Sequence, residues 1–240
     1  MSTFIPTLNE TATTNEAKAD EFQKTFFPPL PPADLSDIDP ILTPSFEEVL
    51  CNLQITRQQV VRAISKVSPD KAPRPDEITN RVIKENVNIL VGHIQALAQA
   101  SLDIRYFPAA FKQTITAVLR KPCKPDYTSA KAYRPIALEN TLGKVLESVM
   151  AELISYLTET HNLLPSQHYG GRPGRTAEDA MTVLSENIYS AWKRGEIFTA
   201  IFLDIAGAFN NVHHERLIYN LRQRGIPEKI ATWIQSFLNG

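Results

Sequence analysis

Leu142, Val145, Leu146, Val149, Met150, Leu153, Ile154 and Leu157 recur on one face of a 3.6-residue period. That spacing predicts an amphipathic helix over residues 142–157. Its apolar stripe must be covered by other elements, which commits the chain to helix packing before any other segment is read. Composition agrees. Of 240 residues, 43% are hydrophobic and 21% charged, enough apolar surface to offset the entropy of ordering one large domain or two small ones.

Weaker patterns surround this stripe. Thr56 and Gln59 make a capping-box signature ahead of Val60, Val61, Ile64 and Val67. Residues 78–102 read as one or two helices, apolar at Val82, Val87, Leu90, Ile94 and Leu97. A helix over 176–192 would turn Ala180, Val183, Leu184, Ile188 and Ala191 inward, and two more helices fall near 215–224 and 228–238. Thr114–Leu119 is short and β-rich, hence a strand; Phe198–Ile205 predicts a buried strand ending in one acid. Helices outnumber strands, and the strands lie far apart. The expected class is α+β, without regular alternation.

The net charge of −1 is a cancellation. Residues 1–50 carry two bases against nine acids, a balance of −7. Six prolines fall between Pro28 and Pro44, so this acidic arm is expected to be mostly extended. Residues 15–25 allow one short helix, with Phe22, Phe26 and Phe27 as a docking patch. Residues 51–240 hold 23 bases and 17 acids, a balance of +6 that favours a polyanionic partner. Cys51 and Cys123 make neither a disulfide framework nor a zinc spacing. Apolar runs fall short of a membrane span, and no basic-then-apolar leader opens the chain. These features predict a soluble intracellular protein with no membrane partner, nuclear or cytoplasmic. Glycine is scarce: nine in all, and none before Gly92.

Two places hold residues suited to chemistry. Asp204 ends the apolar run Ala200–Leu203, where a carboxylate needs a partner such as a hard divalent cation; on spacing alone, the commoner role of capping the helix that follows comes first. Arg120, Lys121, Lys124, Lys131 and Arg134 cluster with Tyr127 and Tyr133 between them, and Arg172 and Arg175 flank a Gly/Pro turn. Such sets suit phosphates, and they suit a solvated positive face as well. The five histidines have no ligand-like spacing, and no Ser/His/Asp set, P-loop or dinucleotide fingerprint occurs.

Five segments in order resemble one family. Lys71–Ile78 (KAPRPDEI) is similar to the KAPGPDGI element of reverse transcriptases from non-LTR, LINE-like retrotransposons. Val118–Tyr127 (VLRKPCKPDY) resembles that family's LRKPGKPDY. Ala132–Glu147 (AYRPIALENTLGKVLE), Leu163–Ala180 (LLPSQHYGGRPGRTAEDA) and Phe202–Val212 (FLDIAGAFNNV) follow. The resemblance covers about 42–240. It implies a right-handed polymerase: an arm over 1–50, helical fingers with basic loops over 51–195, and the first part of a palm over 196–240.

The resemblance also implies RNA-directed DNA synthesis on an RNA template and a DNA primer, with dNTP as substrate and two Mg²⁺ ions. Asp204 would be the first catalytic, metal-binding aspartate, and the Ile205 carbonyl a second ligand. Gly207 and Ala208 lie where main-chain N–H groups approach the triphosphate, and Phe209 matches the gate that excludes a ribose 2′-hydroxyl. Lys121 and Arg134 match phosphate contacts. Gln167, Arg172 and Arg175 belong to a loop near template or nucleotide.

Four positions depart from the pattern. The family usually has Gly where Arg74, Glu77 and Cys123 stand, and Asp where Asn210 stands. A residue with a side chain in a left-handed turn costs roughly 1–2 kcal/mol. The chain contains no Asp-Asp pair, so the family's paired-aspartate strand is expected beyond Gly240. The expectation is therefore a reverse transcriptase domain fragment, inactive alone. The alternatives are a non-catalytic nucleic-acid binder or a decaying element copy.

Overall fold

The computed structural model describes residues 4–29, 32, 34–38, 47–69, 78–205 and 207–239. Lys71–Glu77, with Arg74 and Glu77, lies outside the described residues, as do Pro31, Pro40, Pro44 and Ala206.

The anticipated stripe forms helix α6, Thr141–Thr160. The Asn140 side chain caps it, accepting from the Leu142 N–H at 3.0 Å. Val145, Leu146, Val149, Met150, Leu153 and Leu157 are buried, with Leu142 and Ile154 at the margin. A short helix α5, Ala109–Lys112, presses on the start of α6. There a Cβ on Gly143 would come within 3.1 Å of the Phe111 Cβ, so a larger residue would need Phe111 to give by a few tenths of an ångström.

Helix α2, Arg57–Lys66, covers one side of the stripe. The Thr56–Gln59 capping box forms in both directions. At the other end of α2, Lys84 of α3 (Asn80–Glu85) donates to the Ser65 and Val67 carbonyls at 3.1 and 2.8 Å. Val60 and Ile64 point inward, whereas Val61 is exposed and Ala63 takes the buried place. Residues 80–103 divide into α3 and α4 (Val87–Asp103) at Asn86, whose amide donates to the Val82 carbonyl at 2.9 Å. Ile83, Val91, Ile94, Ala98 and Leu102 are the buried set, with Val87, Leu90 and Leu97 packed at its margin, and Val82 of the expected face is half exposed.

Helices α8 (His214–Gln223) and α9 (Glu228–Leu238) close the core. Trp233 of α9 meets Phe107 edge-on with centroids 5.4 Å apart, and its indole N–H donates to Ser101 Oγ at 2.9 Å. Between α8 and α9, Gly225 (φ +85°) accepts from the Val49 N–H at 2.9 Å.

The sheet among the described residues is an antiparallel ribbon of β1 (Thr114–Arg120) and β2 (Tyr133–Glu139), with Leu119 opposite Arg134 and Val118 opposite Pro135. Strand β2 escaped sequence reading because Pro135 argues against an inner strand. In a two-stranded ribbon each strand has an open edge, where a missing N–H is tolerated. Against this hairpin sits α1, Asn15–Phe26, the helix allowed for in the arm. Its Phe22 and Phe26 form a second small core with Leu8, Ala12, Ala130, Ala132 and Tyr133. Phe27 stays exposed.

Two expectations fail. Phe198–Ile205 is not a buried strand. It has no ladder partner among the described residues, and Ile201, Phe202, Leu203 and Ile205 are each at least 74% exposed. A strand takes its hydrogen bonds from a neighbour; an apolar, β-branched composition supplies only the preference. Helix α7, Ala177–Lys193, forms with its Thr176–Asp179 capping box, but only Ala191 is buried. Val183 is exposed and Ala180, Leu184 and Ile188 are half-buried, because among the described residues no other element packs along its length. The observed architecture is α+β and helix-rich, as anticipated.

Glu147 of α6 is mostly buried beside Glu139, the last residue of β2. Burial first, and then the Glu139 charge, push the Glu147 carboxyl from 4.5 to about 7, with Lys144 opposing. The folded chain thus holds a proton that the unfolded chain releases earlier, so stability falls as pH rises from about 4.5 to about 7. Allowing for residual exposure, the loss is about 2 kcal/mol. Urea midpoints should be higher at the acid end of that window than at the neutral end, and Glu147→Gln should flatten the difference.

Candidate nucleic-acid and nucleotide interface

The segment between β1 and β2 holds the basic cluster, and it is fastened by its own tyrosines. Tyr127 OH donates to the Lys121 carbonyl at 2.8 Å, and Tyr133 OH to the Tyr127 carbonyl at 3.0 Å. The Arg120 guanidinium lies 4.8 Å over the Tyr127 ring. Asp126 accepts from the Thr128 N–H at 2.8 Å and from the Thr128 hydroxyl, which together hold its carboxyl below the ordinary value. The Lys121 ammonium donates to the Lys131 carbonyl at 2.8 Å. Lys124, Lys131 and Arg134 extend into solvent. The loop is therefore a preformed, positively charged surface.

The turn at Cys123 carries one defect. Cys123 has φ +57°, a left-handed conformation that favours glycine. This is one of the three positions where glycine was expected from the family pattern.

The second basic loop, residues 163–176, is built differently from expectation. The Arg172 side chain is only 5% exposed. Its Nε and Nη2 donate to both Glu159 carboxylate oxygens at 2.8 Å, and Nη1 donates to the Pro165 and His168 carbonyls at 2.9 and 3.3 Å. The guanidinium holds the Glu159 carboxyl below the ordinary carboxylate range. Arg172 thus clamps the loop onto the end of α6. Arg175 donates to the Ser166 carbonyl and lies 5.5 Å over the Tyr169 ring. Gly171 and Gly174, both at φ +68°, turn the chain between them. Gln167 is exposed. Glu159 was missed by sequence reading, since nothing in a spacing of thirteen residues marks an ion pair across a loop.

Asp204 and Ile205 stand on the exposed run described above. The turn after them is tight. Gly207 has φ +62°, and a Cβ there would meet Asn211 Nδ2 at 2.8 Å. Its carbonyl accepts from the Asn211 N–H at 2.9 Å. Ala208 is exposed, and Phe209 is 95% exposed. Asn210 donates from Nδ2 to the Phe26 carbonyl at 2.8 Å.

The ten residues expected from sequence fall into three groups: Lys121 and Arg134 on the hairpin; Gln167, Arg172 and Arg175 on the clamped loop; Asp204, Ile205, Gly207, Ala208 and Phe209 on the turn. No hydrogen bond or ion pair joins Asp204 to Lys121 or Arg134 among the described residues. No three His, Cys, Asp or Glu side chains converge on one point among the described residues. No helix among the described residues is long and apolar enough to cross a membrane.

A family model described as reverse transcriptase (RNA-dependent DNA polymerase) matches residues 120–240, which span both basic loops and the Asp204 turn. The chain is 30% identical over 182 residues to the probable RNA-directed DNA polymerase from transposon X-element of Drosophila melanogaster, covering 76% of this chain and 20% of that protein. It is 27% identical over 166 residues to the probable RNA-directed DNA polymerase from transposon BS of the same species, covering 69% and 18%. Similarity to the RNA-directed DNA polymerase from mobile element jockey, also of Drosophila melanogaster, is 26% over 201 residues, covering 84% and 22%. The chain spans about a fifth of the length of these curated relatives.

Cys123→Gly should stabilise the chain. Relief of left-handed strain outweighs the added freedom of the unfolded state, for a net gain of about 0.5–1 kcal/mol. Thermal melts of the two proteins side by side would show the variant unfolding a few degrees higher; an equal or lower midpoint would mean that the turn is not strained.

Proposed function

Because the chain belongs to the reverse transcriptase family, among those of non-LTR retrotransposons, we propose that it supplies the template- and nucleotide-holding part of an RNA-directed DNA polymerase, with Asp204 as first catalytic carboxylate. The observation that carries this reading is the family match from Arg120 to Gly240, which takes in the basic hairpin loop, the clamped loop and the Asp204 turn together.

In this reading Lys121, Arg134 and Arg175 meet phosphates of template or nucleotide. Lys124 and Lys131 extend the same charged face. Arg172 acts at one remove: it keeps Gln167 and Arg175 in place and offers no free donor edge. The backbone of Gly207 has φ +62°, and Ala208 and Phe209 after it are both exposed. Phe209 would bear on the sugar of an incoming nucleotide, and Ala208 allows close approach to its phosphates. RNA template, DNA primer and dNTP are the partners that this reading requires.

The family implies Mg²⁺, which would offset phosphate charge and favour a primer 3′-alkoxide when bound. Asp204 and the Ile205 carbonyl are the residues of this chain that would face it. A single carboxylate cannot neutralise two divalent ions, and the 240 residues hold no Asp-Asp pair. By itself, then, the chain should not extend a primer. A second reading is nucleic-acid binding without catalysis, in a remnant or decaying element copy. The exposed Lys124, Lys131 and Arg134 favour that binding equally.

Two measurements test these statements. Filter binding of RNA should weaken with salt, and Arg134→Ala or Lys121→Ala should each lower the slope of log affinity against log salt by about one. Affinity indifferent to salt would refute both readings. In primer extension with Mg²⁺ and an RNA template, the chain should give no product. Product that disappears with Asp204→Ala would show the 240 residues to be catalytically sufficient.

A further inference from the structure

The acidic arm touches the body at the hairpin, at the Asp204 turn and on α8. Near its start, the Phe4 carbonyl accepts from the Arg120 guanidinium, and the Asn9 N–H donates to the Thr128 carbonyl at 2.9 Å. Helix α1 then seats Phe22 against Tyr133, ring centroids 5.0 Å apart and nearly perpendicular. At the end of α1, the Phe26 carbonyl accepts from Asn210 Nδ2 at 2.8 Å. The terminal carbonyls of a helix have no intrahelical donor, so the amide fills a real need. Further on, Arg216 of α8 donates to the Asp34 carbonyl at 2.9 Å and grips both carboxylate oxygens of Asp37. Arg216 holds the Asp37 carboxyl below its ordinary value.

We infer that the arm is a strut fixing the Asp204 turn relative to the basic hairpin, and that Asn210 is the positioning residue that latches it. The functional weight of this strut rests on the proposed roles of Asp204, Lys121 and Arg134; its existence rests on the contacts alone. Asn210 is also where the family pattern usually has aspartate. A carboxylate has no N–H to give the Phe26 carbonyl. It would also set negative charge against the negative end of the α1 dipole. The asparagine and the docked arm therefore belong together in this chain. The latch holds the turn through two bonds of different origin, Gly207 C=O to Asn211 N–H within the turn and Asn210 to Phe26 across to the arm.

Amide hydrogen exchange on the 240-residue chain tests the strut. Asn210→Asp should speed exchange at least tenfold both in residues 207–213 and in the last turn of α1, leaving the buried residues of α6 protected. Asn210→Gln keeps a donor and should restore most of the protection. Phe22→Ala, which unseats α1 from Tyr133, should loosen 207–213 in the same way although it lies far from the turn in sequence. If 207–213 exchange at the parent rate in both Asn210→Asp and Phe22→Ala, there is no strut. If Gln loosens the turn as much as Asp does, the donor is not the latch. RNA filter binding on the parent chain separates the two ideas: no salt-dependent affinity, with the exchange pattern intact, would refute the proposed function and leave the strut standing.

Discussion

The covering of α6 is the contact on which everything else is hung. Its six buried apolar residues form the floor onto which α2, α4 and α5 settle, with α9 packed on α4. Each fully buried Leu, Val or Met is worth about 1.5–3 kcal/mol relative to exposure, so this one stripe outweighs any polar contact described. The polar groups then fix geometry. The Asn140 cap sets where α6 begins, and β2 ends immediately before it. The hairpin is thereby aimed from the start of the same helix whose far end carries Glu159 and the Arg172 clamp. Both basic loops are attached to opposite ends of one rigid rod about 30 Å long.

A common device runs through those loops. Cations and hydroxyls are first used on the chain's own carbonyls: Tyr127 on Lys121, Lys121 on Lys131, Arg172 on Pro165 and His168, Arg175 on Ser166. Loops without regular secondary structure otherwise leave such carbonyls to water. The result is a surface with fewer free charges than its composition suggests, held in better order. Arg134, Lys124 and Lys131 stand most open to a polyanion, and Lys121 and Arg175 keep their charge and further donors for it while held in place.

How much of this was legible in sequence depended on whether the signal was local. The α6 stripe, the Thr56–Gln59 capping box, β1 and the class of the fold follow from periodicity and short-range chemistry, and they were read from it; the Thr176–Asp179 box has the same short spacing and was not. Over residues 80–103 apolar residues outnumber the buried places, so periodicity marked the helices without choosing which side chains face inward. Cys123 illustrates a reading that worked through resemblance: the family's glycine pointed to a left-handed residue, and the backbone there is left-handed. Arg172 illustrates the reverse. Its neighbours in sequence suggest an anion site, whereas its partner Glu159 lies across a loop. The run 198–205 had the apolar, β-branched composition of a strand and, among the described residues, no neighbour to pair with, and pairing is a property of two segments.

The two cores differ greatly in size. Among the described residues, nineteen buried ones make the helical core and seven make the Phe22–Tyr133 cluster. Local stability scales with such packing, so the small cluster is expected to open before the core built on α6. The hairpin then shares the lifetime of the arm rather than that of α6. Substitutions or cleavage near Leu8, Ala12 or Phe22 act on a surface more than a hundred residues downstream, by shortening the time for which the loop between β1 and β2 persists as one shape. The arm, which looks dispensable for being acidic and proline-rich, is the timekeeper of the basic face.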